Sequence, residues 1–226
     1  MKTLLLIACL AASAPVFSQQ CGNYLYFQQN KTITMTSAKA NGDETGQVVY
    51  KVSNVSDSSG YTVATLNSDV FDKKGKSIAT AVVRILCNGG ALQMDMRMML
   101  PQQPNQKSQS TMDVQAGGSY LQYPGSLNVG DVLPDGHITM QMNTSGMAQT
   151  ITMDITNRKV EAQESVTTPA GTWTCYRISF SGKIQMKMGA IGMPAMNSET
   201  TEWFAPGVGV VKTQSKYGTS QITAIN

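Results

Sequence analysis

The chain has 226 residues and a formal net charge of +3, and only 14% of its residues are charged, against about 25% in a typical soluble domain. This weak charge excludes the strongly basic surface that nucleic-acid binding requires. The hydrophobic content of 41% suffices for a buried core, so the surface must be built largely from Thr, Ser, Gln, Asn and Gly.

Residues 1–18 have the pattern of a secretory signal peptide. Lys2 precedes an apolar run from Leu4 to Ala14, and Ser18 is a small residue at the expected cleavage position. The run is too short to cross a bilayer as a helix, so we expect export, cleavage after Ser18 and a mature chain without a transmembrane segment. The alternative, lipidation at Cys9, would leave an apolar core shorter than the roughly 7 to 15 residues of a normal signal.

The first half of the mature chain is predicted to form strands. Polar and apolar residues alternate in the first predicted strand, which is the period of a half-buried strand, and turn residues follow each run. Asn88-Gly89 predicts a compact hairpin, after which Leu92, Met94, Met96 and Met98 fall on one face of a strand. The runs are Lys31 to Thr36, Gly46 to Val52, Tyr61 to Leu66 and Ile78 to Cys87.

The middle of the chain is predicted to be irregular. Residues 100–110 are polar and include Pro101 and Pro104, which predicts a surface loop. Ala116 to Asp135 is again rich in glycine and proline. Neither stretch is a clear linker, so we expect a single all-β domain over residues 19–226.

The second half shows the clearest period of two. Apolar residues alternate with Thr, Gln, Asp and Lys, which predicts antiparallel hairpins with one buried face. About ten to twelve strands result. The fold class is therefore all-β and antiparallel, in a strongly curved sheet, a barrel or a sandwich. The buried faces are formed by Ile138, Met140 and Met142, by Ile151, Met153 and Ile155, by Tyr176, Ile178 and Phe180, and by Ile184, Met186 and Met188.

The C-terminal third contains two turns beside aromatic runs, Pro169-Ala170-Gly171 before Thr172-Trp173 and Pro206-Gly207 after Trp203-Phe204-Ala205. This PAGTW…WFAPGVGVVK pattern resembles the closing hairpins of the TapB-like group of bacterial exported proteins of unknown function. The resemblance implies an exported β-protein, and the name of the group associates it with pili. It implies no activity and no catalytic residue.

Three cysteines remain after signal cleavage: Cys21, Cys87 and Cys175. In an oxidising compartment an odd number indicates one bridge and one spare thiol. We predict a Cys21–Cys87 bridge, because it would tie down the new N-terminus. Three buried thiols are the alternative.

No pattern of catalytic residues is present, and we predict neither an enzyme nor a cofactor. His137 is the single histidine and follows a Pro-Asp-Gly turn, which is typical of a structural role. Glu199 and Glu202 flank Trp203 as solvated positions at a strand edge. Without CxxC and with one histidine, zinc spacing is absent, and Gly207-Val208-Gly209 lacks the following helix of a phosphate site.

Methionine is the unusual feature, with 15 in the chain. Core packing is one interpretation. A cavity for a flexible apolar ligand is another, because Met is unbranched and polarizable. Copper binding by thioethers is a third and more remote one. The candidate ligand-binding residues are Met94, Met96, Met98, Met140, Met142, Met186 and Met188.

Two functions of different classes remain. One is an exported envelope protein that binds a lipid or another apolar small molecule in a Met-lined interior. The other is a structural or assembly factor at the cell surface with a protein partner.

Overall fold

The computed structural model describes residues 21–99, 120–144 and 147–226. The predicted signal peptide and the predicted loop at 100–110 lie outside the described residues. Thirteen strands and three short 3-10 helices are formed in the described ranges. The helices are Cys21–Asn23, Leu25–Phe27 and Met96–Met99.

Each strand pairs in antiparallel fashion with its neighbours in a single 13-stranded sheet. The strands are β1 (Thr32–Ala38), β2 (Glu44–Ser58), β3 (Tyr61–Asp72), β4 (Ser77–Asn88), β5 (Ala91–Asp95), β6 (Tyr120–Tyr123), β7 (Gly136–Thr144), β8 (Met147–Thr168), β9 (Gly171–Met188), β10 (Ile191–Gly192), β11 (Met196–Ala205), β12 (Gly209–Ser215) and β13 (Gly218–Ile225).

The order of strands is β6-β5-β4-β3-β2-β1-β13-β12-β11-β9-β8-β7, and β10 extends the sheet beside β9. The first and last strands of the chain, β1 and β13, are thus paired in the middle of the sheet. Its two edges are β6 and β7, which follow one another in sequence. The sheet curls until these edges meet and forms a nearly closed barrel, which confirms the predicted all-β antiparallel class.

The seam between the edges is closed by side chains rather than by a ladder of backbone hydrogen bonds. Gly136, at the start of β7, packs directly against Leu121 of β6 and against Met96. A Cβ atom at Gly136 would lie 2.7 Å from Leu121 Cδ2 and 2.9 Å from Met96 Sδ. The close approach of the two edges therefore requires glycine at this position.

Alternation places the predicted apolar residues inside the barrel. Ile151, Met153 and Ile155 of β8 are buried, as are Ile138 and Met140 of β7, because successive side chains of a strand point to opposite faces. At the β4–β5 hairpin Gly89 and Gly90 both have positive φ, 56° and 83°, as a two-residue turn requires.

Two details of the sequence-based strand pattern were wrong. Met96 and Met98 do not continue β5, because the strand ends at Asp95 and the next four residues form a 3-10 helix. The backbone N–H of Arg97 donates to Asp95 Oδ1 at 2.9 Å, a local turn that competes with the extended conformation. Strand β6 was also missed, since it lies between proline- and glycine-rich segments.

Candidate functional site

The barrel encloses a cavity of about 670 Å³. Strands β1 to β6 and β8, β9, β11, β12 and β13 contribute to its wall, together with the 3-10 helix after β5. A barrel of twelve strands is wider than one of eight, whose interior side chains just fill it, so space remains inside. The methionines of the wall are Met35, Met94, Met98, Met99, Met153 and Met196.

One end of the cavity, which we call the open end, reaches solvent. The turns after β1, β3 and β12 lie there, and the wall at this end includes the exposed residues Thr45, Met196 and Tyr217. Short hydroxyl side chains such as Ser37 and Ser215 also line this end. The wall is therefore more polar near the open end than in the middle, where methionine and aliphatic residues predominate.

The N-terminal segment, Cys21 to Phe27, blocks the other end of the barrel, the closed end. Tyr24 and Tyr26 are fully buried, and the Tyr24 hydroxyl donates to the backbone oxygen of Gly90 in the β4–β5 turn at 3.1 Å. The Tyr26 ring lies against Gly209 at the start of β12, where a Cβ atom would approach Tyr26 Cε2 to 2.6 Å. Tyr26 also lines the cavity, so it forms part of its floor.

A disulfide between Cys21 and Cys87 fastens this segment to the end of β4. The structure thus contains the bridge that the sequence predicted. Within the part of the chain that the structure describes, Cys175 is the free thiol, and it is buried. Burial raises its pKa to about 11, so it remains protonated and unreactive at neutral pH.

A buried charged cluster lies beside the closed end. Glu202 of β11 and Arg158 of β8 are both fully buried, with Arg158 Nη2 at 3.5 Å from Glu202 Oε1. The Tyr123 hydroxyl donates to Glu202 Oε2 at 3.1 Å, and the Arg158 guanidinium lies 4.7 Å from the centre of the Tyr123 ring. The Phe204 ring stacks on the Tyr123 ring, with the two ring centroids 4.6 Å apart.

Arg158 holds the seam of the barrel together. Its Nη1 donates to the backbone oxygens of Gln122 in β6 and Pro134 before β7, at 2.9 and 3.0 Å. These carbonyls belong to the two sides of the seam. The guanidinium therefore links both edges of the sheet to Glu202, a residue of β11 on the interior wall.

A bulge in β8 directs Arg158 into the barrel. The pairing with β9 passes from Thr156↔Ser181 to Lys159↔Ser179, so β8 contains one extra residue. Asn157 takes up the irregularity with φ of 58°, and its backbone N–H donates to Asp135 at 3.1 Å. Without this bulge, strict alternation after Ile155 would point Arg158 outward.

Four buried polar atoms in this part of the barrel form no hydrogen bond: the Tyr26 hydroxyl, Arg158 Nε and Nη2, and Glu202 Oε1. Arg158 Nη2 and Glu202 Oε1 face each other as an ion pair at 3.5 Å. Burial raises the pKa of Glu202, an effect that Arg158 and the Tyr123 hydroxyl oppose. Desolvation also raises the pKa of Tyr26, which keeps its hydroxyl protonated.

Asp95 is a second buried carboxylate in the wall, but its oxygens are occupied. It accepts hydrogen bonds from the side chain and the backbone N–H of Arg97 and forms an ion pair with that guanidinium. The side-chain hydrogen bond to Asp95 raises the pKa of Arg97, so the guanidinium stays charged. Asp95 and Arg97 thus neutralise each other.

The structure separates the methionines that the sequence grouped together. Met94 and Met98 line the cavity, whereas Met96 and Met140 are buried in the packed core and do not. Met186 is half-buried against that core, and Met188 is 41% exposed near the end of β9. The side chain of Met142 lies outside what the structure describes.

Sequence reasoning missed the polar residues of the site. The prediction that Glu202 is solvated was wrong, because it alternates with the outward Trp203 and shares the inner face with Phe204. Trp203 instead donates from Nε1 to Glu164 at 2.6 Å on the outside. The alternation around Trp203 is the signal that could have placed Glu202 inside. Nothing local marks Arg158 or Tyr26.

The remaining polar clusters suggest no second site. His137 is exposed and pairs with Asp154, Nδ1 to Oδ1 at 2.6 Å, across the β7–β8 ladder. Among the described residues no group of His, Cys, Asp and Glu is arranged to hold a metal ion. In the same ranges no helix is both long and apolar enough to cross a membrane.

Comparisons with known proteins identify the fold. The sequence model of the family described as DUF3108-like matches residues 28–221. A Bacteroides fragilis protein, described provisionally as exported and with a YmcC-like fold, has 20% identity and a TM-score of 0.69, and the match covers 88% of this chain and 96% of that one. A provisionally assigned lipoprotein from Parabacteroides distasonis has 16% identity and a TM-score of 0.71, with 90% and 99% covered.

At these identities the two crystal structures establish the fold alone. No curated protein matches the sequence. The family match extends over most of the chain rather than over the C-terminal pattern, and it does not confirm the resemblance to the TapB-like group.

Proposed function

The chain belongs to the DUF3108-like family, and from that premise we propose that it is an exported, non-enzymatic envelope protein that binds an elongated apolar molecule, such as a lipid, inside the barrel. The observation that carries the proposal is the cavity of about 670 Å³, which falls in the range of about 300 to 1,000 Å³ typical of ligand sites. The exported proteins and lipoproteins that share the fold support the compartment.

The composition of the wall favours a flexible apolar ligand. Six methionines line it, and their unbranched side chains adapt to a chain of variable shape. One end is open for entry and the other is blocked by the N-terminal segment, which is the shape of a carrier rather than of a pore. Thioethers alone could also bind copper, but the cavity methionines lie on five different elements of the wall, so that copper remains the more remote alternative.

Binding can be tested directly on protein purified from the periplasm of a producing cell. We expect native mass spectrometry to show an added mass that disappears after delipidation. The same spectra should show a mature chain that begins at Gln19 and has no acyl group. Identical masses before and after delipidation would favour the structural or assembly role and a protein partner instead.

A matched pair of variants on β11 controls for nonspecific binding. Thr200 lines the cavity, while its neighbour Thr201 does not and faces the opposite side of the sheet. We expect the larger side chain of Thr200→Trp to obstruct the cavity and to reduce both the added mass and the binding of N-phenylnaphthylamine, an apolar fluorescent probe. Thr201→Trp should preserve both. Equal binding by the two variants would contradict an interior site.

A further inference from the structure

A hairpin at the open end, which we call the apolar hairpin, exposes a continuous run of apolar residues. Residues 188–196 read Met-Gly-Ala-Ile-Gly-Met-Pro-Ala-Met and contain no polar side chain. Met188 pairs with Ile191 across the turn after β9, and every residue from 187 to 194 is exposed. Ile191 is 73% and Met193 46% exposed. Ordinary protein surfaces avoid such a run, so it marks a place of contact with a membrane or another molecule.

The rim of the open end beside the apolar hairpin is basic. In the order of the strands, the turns at residues 216–217, 39–43 and 73–76 follow the hairpin around the rim. The exposed lysines of these turns and of the hairpin are Lys39, Lys73, Lys74, Lys76, Lys187 and Lys216. The acidic residues of the same rim are Asp43, Glu44 and Asp72. The rim is therefore positively charged, although the formal net charge of the whole chain is only +3.

We propose that the apolar hairpin and this basic rim form a docking surface for an anionic phospholipid bilayer. Ile191 and Met193 would enter the boundary between head groups and acyl chains, while the lysines face the phosphate groups. An apolar element flanked by lysines is the pattern by which proteins bind membrane surfaces, because apolar burial and attraction to anionic lipid act together. The charge of the rim thus complements that of the bilayer.

The geometry of the hairpin favours a bilayer over a protein partner. Successive residues of a strand point to opposite faces, and here all residues from 187 to 194 are exposed, so both faces of the hairpin are uncovered. A protein partner that packs on one face would leave the other face in water. The head-group region of a bilayer surrounds an inserted hairpin and covers both faces at once.

Tyr217 extends the docking surface to the mouth of the cavity. Its hydroxyl donates to the backbone oxygen of Asn197 at 3.3 Å, which holds the turn after β12 against the start of β11. Lys216 Nζ lies 5.1 Å from the centre of the Tyr217 ring, and both side chains combine an apolar body with a polar tip, as an interface requires. Tyr217 and Met196 also line the cavity, so docking would place its mouth on the bilayer. The docking surface itself does not require a ligand in the cavity.

Flotation of the purified mature protein with lipid vesicles tests the docking surface. One set of vesicles contains phosphatidylcholine alone, and the other contains equal amounts of phosphatidylcholine and phosphatidylglycerol. We expect binding to the mixed vesicles, weaker binding to the uncharged ones, and a loss of this preference in concentrated salt, because salt screens the lysines. A protein that does not float with the mixed vesicles would overturn the proposal.

Ile191→Glu is the decisive variant of the hairpin, and Val132→Glu is its matched control. Val132 is 78% exposed, but it lies before β7 beside Lys159 in the middle of β8, away from the rim. Because both side chains are exposed, neither substitution should change the melting temperature. We expect Ile191→Glu to weaken binding to the mixed vesicles at least about tenfold, since the buried apolar side chain is lost. Val132→Glu should bind as the wild type does, and equal binding by the two variants would contradict insertion of the hairpin.

A second pair of variants tests the basic rim. Lys187 pairs with Gly192 in the apolar hairpin, whereas Lys51 lies in the middle of β2. Lys187→Gln should weaken binding to the mixed vesicles by up to about fivefold, the contribution of one lysine at an anionic surface, and leave binding to phosphatidylcholine unchanged. Lys51→Gln should leave both unchanged. Equal losses in the two variants would show that the total charge governs binding, which would overturn the role of the rim.

Two further measurements separate this surface from other functions. If Ile191→Glu converts an oligomer into a monomer and leaves vesicle binding unchanged, the hairpin is an interface between copies of this chain and the docking surface is overturned. Ile191 does not line the cavity, so the variant should bind N-phenylnaphthylamine as the wild type does when no vesicles are present. Probe binding without vesicle binding overturns the docking surface alone. Vesicle binding without probe binding overturns the proposed function alone.

Discussion

The two ends of the barrel are built differently, although the same strands run between them. At the closed end the turns at residues 59–60, 89–90, 169–170 and 206–208 contain no charged residue, and buried aromatic side chains fill the space. At the open end the turns carry Lys39, Lys73, Lys74, Lys76 and Lys216. The protein thus seals one end by burial and leaves the other solvated, so that access to the interior has a defined direction.

This difference indicates that the closed end stabilises the fold, whereas the open end serves ligand binding. The closed end combines a disulfide, a buried ion pair and stacked rings, each of which resists opening. The open end is lined by exposed and partly exposed side chains. Substitutions should therefore cost stability at the closed end and affect binding at the open end.

The largest effect is expected from the disulfide. The bridge joins residues 66 positions apart, and for a loop of this length chain entropy predicts about 4 kcal/mol of stabilisation. Cys21→Ser should lower the free energy of unfolding by up to that amount in chemical denaturation without reductant. Wild type and variant should become equal in reductant. A variant as stable as the wild type without reductant would show that the N-terminal segment is held by packing alone.

A second prediction contrasts a core methionine with one of the open end. Met140 is buried and does not line the cavity, so Met140→Ala leaves a void and should cost about 3 kcal/mol. Met196 is 39% exposed, and Met196→Ala should cost less than about 0.5 kcal/mol. Denaturant midpoints measure the loss of stability in both variants. The affinity for N-phenylnaphthylamine should fall only in Met196→Ala. Equal losses of stability would remove the distinction between core and cavity.

A third comparison uses glycines. Gly209 has a φ of 112° and contacts the Tyr26 ring, so that Gly209→Ala should cost about 2 kcal/mol in strain. Gly75, in an open-end turn, has a φ of 75° with open space around it, and Gly75→Ala should cost about 1 kcal/mol. Thermal unfolding of both variants measures the difference. If Gly75→Ala cost more stability than Gly209→Ala, the N-terminal segment would move aside easily to make room for the new Cβ atom at residue 209.

The smallest effect is a pH dependence. Burial raises the pKa of Glu202, so the folded state binds its proton more tightly than the unfolded state does. Stability from this group is therefore complete below the ordinary pKa of about 4.5 and is lost as pH rises through the raised value. Glu202→Gln should flatten this part of the stability curve, measured by denaturation at several pH values. An unchanged slope would show that Arg158 compensates the charge fully.

Local sequence patterns determined the strands, the hairpin turns and the antiparallel class, because alternation with period two and turn residues act over a few positions. The bridge of Cys21 to Cys87 could be inferred because a free N-terminal segment needs an anchor. The predictions from sequence failed where local geometry interrupted the alternation of inward and outward side chains. Asp95 turned the chain into a 3-10 helix at Met96, and the β8 bulge at Asn157 exchanged the inner and outer faces.

Tertiary structure alone decided which residues form the candidate site. Alternation assigns Met94 and Met140 equally to an inner face, but the curvature of the sheet makes one a cavity wall and the other packed core. The burial of Glu202 depends on Arg158, which lies on another strand and is directed inward by a bulge. The distance between such residues along the chain is large, and no local pattern encodes how far the sheet curls before its edges meet, so that only the closed barrel brings Tyr26, Arg158 and Glu202 to one end.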